Sequence, residues 1–219
     1  MTSRLAVFDC DGTLVDGQGA VCRAMEAAYG AIALPCPDRA TIRRLVGLSL
    51  PQAVRRLSPG LEADAVHAVV ERYKDAFRAA RASGELSEPL YDGIPALLES
   101  LGAAGWLMGV ATGKSDRGLT SCLATHAISG HFITLQTADR HPSKPHPAML
   151  EAALDEAAVD AGAAVMIGDT AYDMAMAVNA GVRAVGVAWG YHEAEELRAA
   201  GAVFVAGSVP ELQEFLLNG

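Results

Sequence analysis

The sequence predicts an α/β protein, a doubly wound parallel sheet interrupted once by an all-helical insertion. Three observations carry that expectation. From residue 89 onward, short β-branched or apolar runs alternate with amphipathic stretches of helical period, as repeated βα units do. Residues 17–88 hold only helical patterns, with no credible strand between them. The apolar run Leu5-Ala6-Val7-Phe8 stands alone ahead of that block and ends on acid.

Taken in order, the first strand is Leu5 to Asp9. The insertion follows, with helical pattern over Val21 to Tyr29, Arg39 to Val46, Gln52 to Leu57 and Ala63 to Ala82. Pro35, Pro37, Pro51, Pro59, Ser83-Gly84 and Pro89 punctuate it, and the last group marks the return. Further strands are expected at Leu107 to Thr112, His131 to Leu135, Ala164 to Gly168, Ala184 to Val187 and Val203 to Val205. Helices alternate with them near Ile94 to Ala103, Ser115 to His126, His146 to Glu156, Tyr172 to Ala180, Glu193 to Ala199 and Val209 to Leu217. Gly105, Gly181 and Gly201 follow three of these where glycine stops belong. Residues 1–16 and 89–219 are then the core domain, and residues 17–88 a helical cap.

Composition narrows the function. The 219 residues, 51% apolar and 20% charged, suffice for one large domain with a smaller insertion. A net charge of -9 disfavours nucleic acid and anionic membranes, whose phosphates reward clustered Lys and Arg. A small substrate is expected instead. The longest stretch without Asp, Glu, Lys or Arg, Gly118 to Ala138, carries Ser121, Thr125, His126, His131 and Gln136 and does not suit a membrane span. The opening residues lack the basic region and long apolar run of a secretory signal, and Cys10, Cys22, Cys36 and Cys122 are scattered like reduced thiols. A cytoplasmic protein is expected.

Chemistry concentrates at strand ends. Alternation along a strand puts Asp9 and Asp11 on one face and turns Cys10 toward the core. Neighbouring carboxylates resist joint ionisation, and a divalent cation holds both negative. In open parallel sheets the working crevice lies at the C-terminal strand ends. Thr112-Gly113-Lys114, Gly168-Asp169-Thr170-Ala171-Tyr172-Asp173 and the loop lysine Lys144 fall where they meet the two acids in one crevice. Thr112-Gly113-Lys114-Ser115 also looks like the end of a phosphate-binding P-loop, but Met108 stands where its first glycine belongs. Asp16 also suits a helix cap, and Asp173 the first turn of a helix. His141 and His146 suit loop roles, and Arg72, Lys74, Arg78 and Arg81, interleaved with Glu71 and Asp75, read as a solvated helix face.

Together these residues resemble the haloacid dehalogenase superfamily of phosphohydrolases. The pattern DxDGT(L/V)xD is met by Asp9, Asp11, Gly12, Thr13 and Asp16, the second motif by Thr112, the third by Lys144, and GDxxxD by Asp169 and Asp173. The insertion resembles the C1 cap of the phosphoglycolate phosphatase-like branch. The resemblance implies a Mg²⁺-dependent phosphatase acting on a small phosphomonoester through an aspartyl-phosphate. Asp9 is then the nucleophile, Asp11 the general acid and base, and Lys144 the cation that neutralises Asp9 and the transferring group. Metal binding is expected of Asp9, Asp11 through its backbone carbonyl, and Asp169, with Asp173 acting from behind them. Thr112 and the N–H groups of Gly12 and Gly113 are expected at the phosphoryl oxygens. The segment Arg43 to Ser49 resembles the cap's specificity loop, which makes Arg44 and Gly47 candidate substrate contacts. Gly17, Gly19, Ser83 and Gly84 suit a hinge.

Three rivals share parts of this pattern. A β-phosphoglucomutase-like phosphomutase has the same core motifs, although Val46 stands where those mutases carry Lys. A two-component receiver has paired acids and Mg²⁺ but is shorter and lacks a cap. A phosphate-binding module without activity would not need Asp9, Asp11, Lys144 and Asp169 together. The substrate (phosphoglycolate, pyrophosphate, a nucleotide or a sugar phosphate) stays open at this stage, as does the choice between monomer and dimer.

Overall fold

The computed structural model describes residues 3–218. Strands β1 (Arg4–Phe8), β2 (Trp106–Thr112), β3 (Thr134–Thr137), β4 (Ala164–Gly168), β5 (Arg183–Val187) and β6 (Phe204–Ala206) form one parallel sheet in the order β3-β2-β1-β4-β5-β6. The chain leaves β1 for β2 on one side and later returns to β4 on the other. Connections that part in opposite directions open a crevice at the C-terminal end of β1. Phe8, the last residue of β1, is paired with both Val110 and Ile167, so Asp9 emerges into that crevice.

Side chains alternate between two buried faces, as parallel strands covered on both sides require. Ala6, Phe8, Val165 and Ile167 pack with α5 (Ile94–Ala103), α6 (Asp116–Thr125) and α10 (Val209–Asn218). Leu5, Val7, Ala164 and Met166 pack with α7 (Ala148–Ala157), α8 (Ala171–Asn179) and α9 (Ala194–Ala199). Cys10 joins the first of these faces, as the alternation predicts. Gly105, Gly181 and Gly201 end α5, α8 and α9 with positive φ.

Helices α1 (Gln18–Ala31), α2 (Arg39–Arg43), α3 (Leu50–Leu57) and α4 (Ala63–Ala82) form a separate cluster with its own apolar centre, which includes Val21, Met25, Tyr29, Ile42, Val54 and Val69. The two chain crossings that lead to it run side by side. The Asp16 amide donates to the Pro89 carbonyl at 2.8 Å, and the Tyr91 amide to the Leu14 carbonyl at 3.0 Å. No helix of the described residues is long and apolar enough to cross a membrane.

Three elements depart from expectation. The third strand begins at Thr134, not His131, because Ser129–His131 form a 3₁₀ turn. Its buried side chains are polar: Gln136 donates to Thr134 at 2.8 Å, and Thr137 donates to Asp116 at 2.7 Å. An apolar search therefore settles too early. The last strand is likewise displaced by one residue, since Val203 is exposed and Ala206 buried. Helix α2 stops at Arg43, and turns carry the chain to Gly47, whose φ of +95° is open to glycine at little cost.

Ile167 lies fully buried in β4 next to β1. Ile167→Ala should lower unfolding free energy by about 2–5 kcal/mol in urea denaturation. A loss below about 1 kcal/mol would show that this part of the core is loosely packed.

Candidate active site

Asp9 follows β1 directly, its amide tied to the Ile167 carbonyl at 2.8 Å. The carboxylate is fully buried. Its Oδ1 accepts from its neighbour's amide, Cys10 N–H, at 2.7 Å and lies 3.0 Å from Lys144 Nζ. Its Oδ2 is buried without a partner. Asp169 follows β4 in the same way. Thr13 Oγ1 donates to its Oδ1 at 2.8 Å, and the Tyr191 amide to its Oδ2 at 2.9 Å.

Asp173 opens α8 as half of a capping box. Its Oδ2 accepts from the Thr170 amide at 3.0 Å and the Thr170 hydroxyl at 2.7 Å, while its Oδ1 takes Lys144 Nζ at 2.6 Å. Oxygens of Asp9, Asp169 and Asp173 all lie within 4.8 Å of one another. Glycines make room for this density. A Cβ at Gly168 would lie 2.4 Å from Asp173 Cβ, and one at Gly190 or Gly12 would lie 2.2 Å from Asp169 side-chain atoms.

Burial pushes the Asp9 carboxyl up to about 7, although Lys144 opposes the shift. Burial also raises Asp169, and the neighbouring Asp173 and Asp9 add to it. Burial alone would lower Lys144, but Asp173 and Asp9 outweigh it and hold the ammonium above the ordinary lysine range. Three buried carboxylates thus share one site with a single fixed cation, which touches two of them. The excess negative charge and the unpartnered Asp9 oxygen fit a hard, oxygen-liganded cation.

Asp11 stands apart from that cluster. Its Oδ1 lies 3.0 Å from Lys114 Nζ, which reaches Glu88 at 2.6 Å. Burial raises the Asp11 carboxyl and Lys114 restrains the rise. Asp9 and Asp11 open on a cavity of about 570 Å³ between the sheet domain and the helices of residues 18–82.

A family model described as haloacid dehalogenase-like hydrolase matches residues 6–187. The chain belongs to this family. The hydrolase is 33% identical over 199 residues to "Probable phosphatase IndB" of Dickeya dadantii, an alignment that spans 90% of this chain and 86% of that protein. It is 30% identical over 220 residues to a phosphoglycolate phosphatase of Vibrio parahaemolyticus, covering 96% and 95% of the two chains. It superposes on the crystal structure of a predicted phosphatase from Clostridium acetobutylicum with a TM-score of 0.89, at 26% identity and full coverage of both chains. The expectations of a phosphatase-type enzyme and of a doubly wound core bearing a helical cap hold.

Several site residues of the hydrolase take roles other than those expected of them. The Gly12 amide donates to the Val15 carbonyl at 2.9 Å and is not free for a phosphoryl oxygen. Its contribution is steric, at a φ of +82°. The amides of Asp11 and Gly113 have no protein acceptor among the described residues. Thr112 lines the cavity and is almost fully buried. Gly47 lines it too, and the Gly47 and Leu48 carbonyls press on Gly113, where a Cβ would lie 2.5 Å from Leu48 O.

Arg44 does not line the cavity. Its guanidinium forms a two-pronged ion pair with Glu196 of α9, because the early end of α2 turns the side chain outward across the cap boundary. Both Asp173 oxygens are engaged by Thr170 and Lys144, so this residue aims Lys144 and caps α8. Asp16 accepts from the Gln18 amide at 3.2 Å ahead of α1. Lys74, Arg78 and Arg81, expected on a solvated face, line the cavity.

Lys114 reaches the crevice expected of the Thr112-Gly113-Lys114 strand end, but its pairing with Asp11 and Glu88 has no signal in the sequence. Glu88 carries no such strand-end signal. Thr13 lies inside the first motif, and its bond to Asp169 follows from the fold alone.

A carboxyl whose folded pKa exceeds its unfolded value binds extra protons when folded, so its contribution to stability falls as pH rises between the two values. For Asp9 that window runs from 3.8 to about 7. The melting temperature of EDTA-treated protein should therefore fall as pH rises through the window, on the order of a few kcal/mol in stability. Asp9→Asn should flatten the fall; an equal slope in that variant would assign the effect elsewhere.

Proposed function

We propose that the chain is a Mg²⁺-dependent phosphatase that hydrolyses a small phosphorylated metabolite through an aspartyl-phosphate on Asp9. The observation that carries this reading is the Asp9 carboxylate, which turns a buried, unpartnered oxygen into a site shared with Lys144 and Asp169 and faces the cavity. Residues 17–88 act as the cap on a core of residues 1–16 and 89–219, and a cytoplasmic setting suits the reading. Asp9, Asp169 and the Asp11 backbone carbonyl would hold the metal. Bound there, Mg²⁺ supplies positive charge for the phosphoryl oxygens.

The chain's own groups then divide the reaction. An Asp9 oxygen attacks phosphorus, and the bond from phosphorus to the leaving alcohol oxygen breaks. Asp11 gives its proton to that oxygen. Its raised pKa, with burial as the main cause, helps it hold the proton until then. In the second half Asp11, now a carboxylate, takes a proton from water as the water oxygen attacks phosphorus. The bond to Asp9 breaks and inorganic phosphate leaves. Lys144 offsets the charge on Asp9, while Thr112 and the amides of Asp11 and Gly113 point donors at the phosphoryl oxygens.

Asp9→Asn should reduce p-nitrophenyl phosphate turnover about a thousandfold or more with the circular dichroism spectrum preserved. Residual Mg²⁺-dependent turnover near wild type would sink the covalent route. Wild-type enzyme should lose activity in EDTA and regain it on adding Mg²⁺; turnover that persists through chelation would remove the metal.

Lys114 restrains the pKa of Asp11. Lys114→Met should therefore move the limb of the pH profile of kcat/KM that reports Asp11 upward, by about one unit or more. An unmoved limb would show that Asp11 does not set it.

A further inference from the structure

Helix α4 carries Tyr73, Phe77 and Arg81 at successive four-residue steps, a single stripe along one face. All three line the cavity whose floor holds Asp9 and Asp11. The Tyr73 and Phe77 rings lie 4.9 Å apart, and Lys114 Nζ, bound to Asp11, lies 6.0 Å from the Phe77 ring centroid. The aromatic wall therefore begins beside the acid/base pair. Burial raises the Tyr73 hydroxyl pKa, with the Asp11 carboxylate adding to the rise, so Tyr73 stays a neutral donor.

The rest of the cap lining is mostly apolar, with Met25 of α1, Ile42 of α2 and Leu57 of α3 among its residues, and the two rings pack against that same cluster. Along α4 the cations differ. Lys74 is held by Glu71 at 2.9 Å and Arg78 by Asp75 at 2.5 Å. Arg81 is partly buried and has no ion-pair partner among the described residues. It lies eight residues beyond Tyr73, about 12 Å along the helix. A chamber of about 570 Å³ accepts a molecule larger than a compact hydroxy acid.

We infer that α4 reads the leaving group: the substrate is a phosphomonoester whose alcohol carries a planar apolar ring, seated on Tyr73 and Phe77, and a second anionic group that reaches Arg81. The inference rests on the phosphatase reading and names its substrate class. An aromatic contact at this wall is worth about tenfold in affinity.

The test separates the two readings by measuring binding and turnover independently. Calorimetry on the full chain carrying Asp9→Asn, with Mg²⁺, compares inorganic phosphate, phosphoglycolate, benzyl phosphate and 4-(carboxymethyl)benzyl phosphate. Benzyl phosphate should bind about tenfold more tightly than phosphoglycolate, and the carboxylated ester more tightly again. Added to that background, Phe77→Ala should erase the ring's advantage and Arg81→Gln only that of the carboxylate. Phosphoglycolate or phosphate binding as well as the ring esters, or both variants weakening every probe equally, would overturn the inference. Wild-type turnover of the same three esters reports on the phosphatase reading alone. Selective binding without any turnover would fell that reading and keep the ring site, and turnover with phosphoglycolate preferred would do the reverse.

Discussion

The ammonium of Lys144, buried between Asp9 and Asp173, is the interaction on which the site depends. Removing a charge from water costs several kcal/mol unless its partners are close and its remaining bonds are made. Here three carboxylates are fully buried within a few ångströms of one another. Lys144 spans two of them, and Thr13 and the Tyr191 amide satisfy the third. The absence of side chains at Gly12, Gly168 and Gly190 follows from the same crowding, since a methyl group at any of them would overlap a carboxylate. The sheet order supplies the location, and the glycines supply the space.

The cap meets the core through two kinds of surface. Its outer contacts are polar: Arg44 with Glu196, Arg56 with Tyr172, Ser49 with Ser143, and His192 donating from Nε2 to the Arg44 carbonyl. Exposed pairs such as Arg44 with Glu196 each contribute little to holding the cap against the core. The inner surface is mostly apolar and aromatic, with the charged α4 residues Glu71, Lys74, Arg78 and Arg81 along one side, and it shares a cavity with Asp9 and Asp11.

Much of this was legible in the sequence, for physical reasons. Acids that end apolar runs are conspicuous, because burying them without a purpose is costly, and Asp9, Lys144 and Asp169 lie together as that argument expects. Strand β3 was misplaced because its buried residues are polar and bond to one another. The Asp11–Lys114–Glu88 chain escaped notice because it joins three parts of the sequence that only folding brings together. Gly12 was given a donor role that its turn already uses. The α4 cations looked solvated because Glu71 and Asp75 lie one turn away, a pairing that accounts for Lys74 and Arg78 and leaves Arg81 over.

Asp173 shows how closely architecture and chemistry are joined. One of its oxygens completes the first turn of α8 and the other orients the lysine beside the nucleophile. Forming that helix and aiming that lysine are one event, so a chain whose α8 has not yet formed lacks an aligned site as well. A substitution of Asp173 loosens the start of α8 and the hold on Lys144 together.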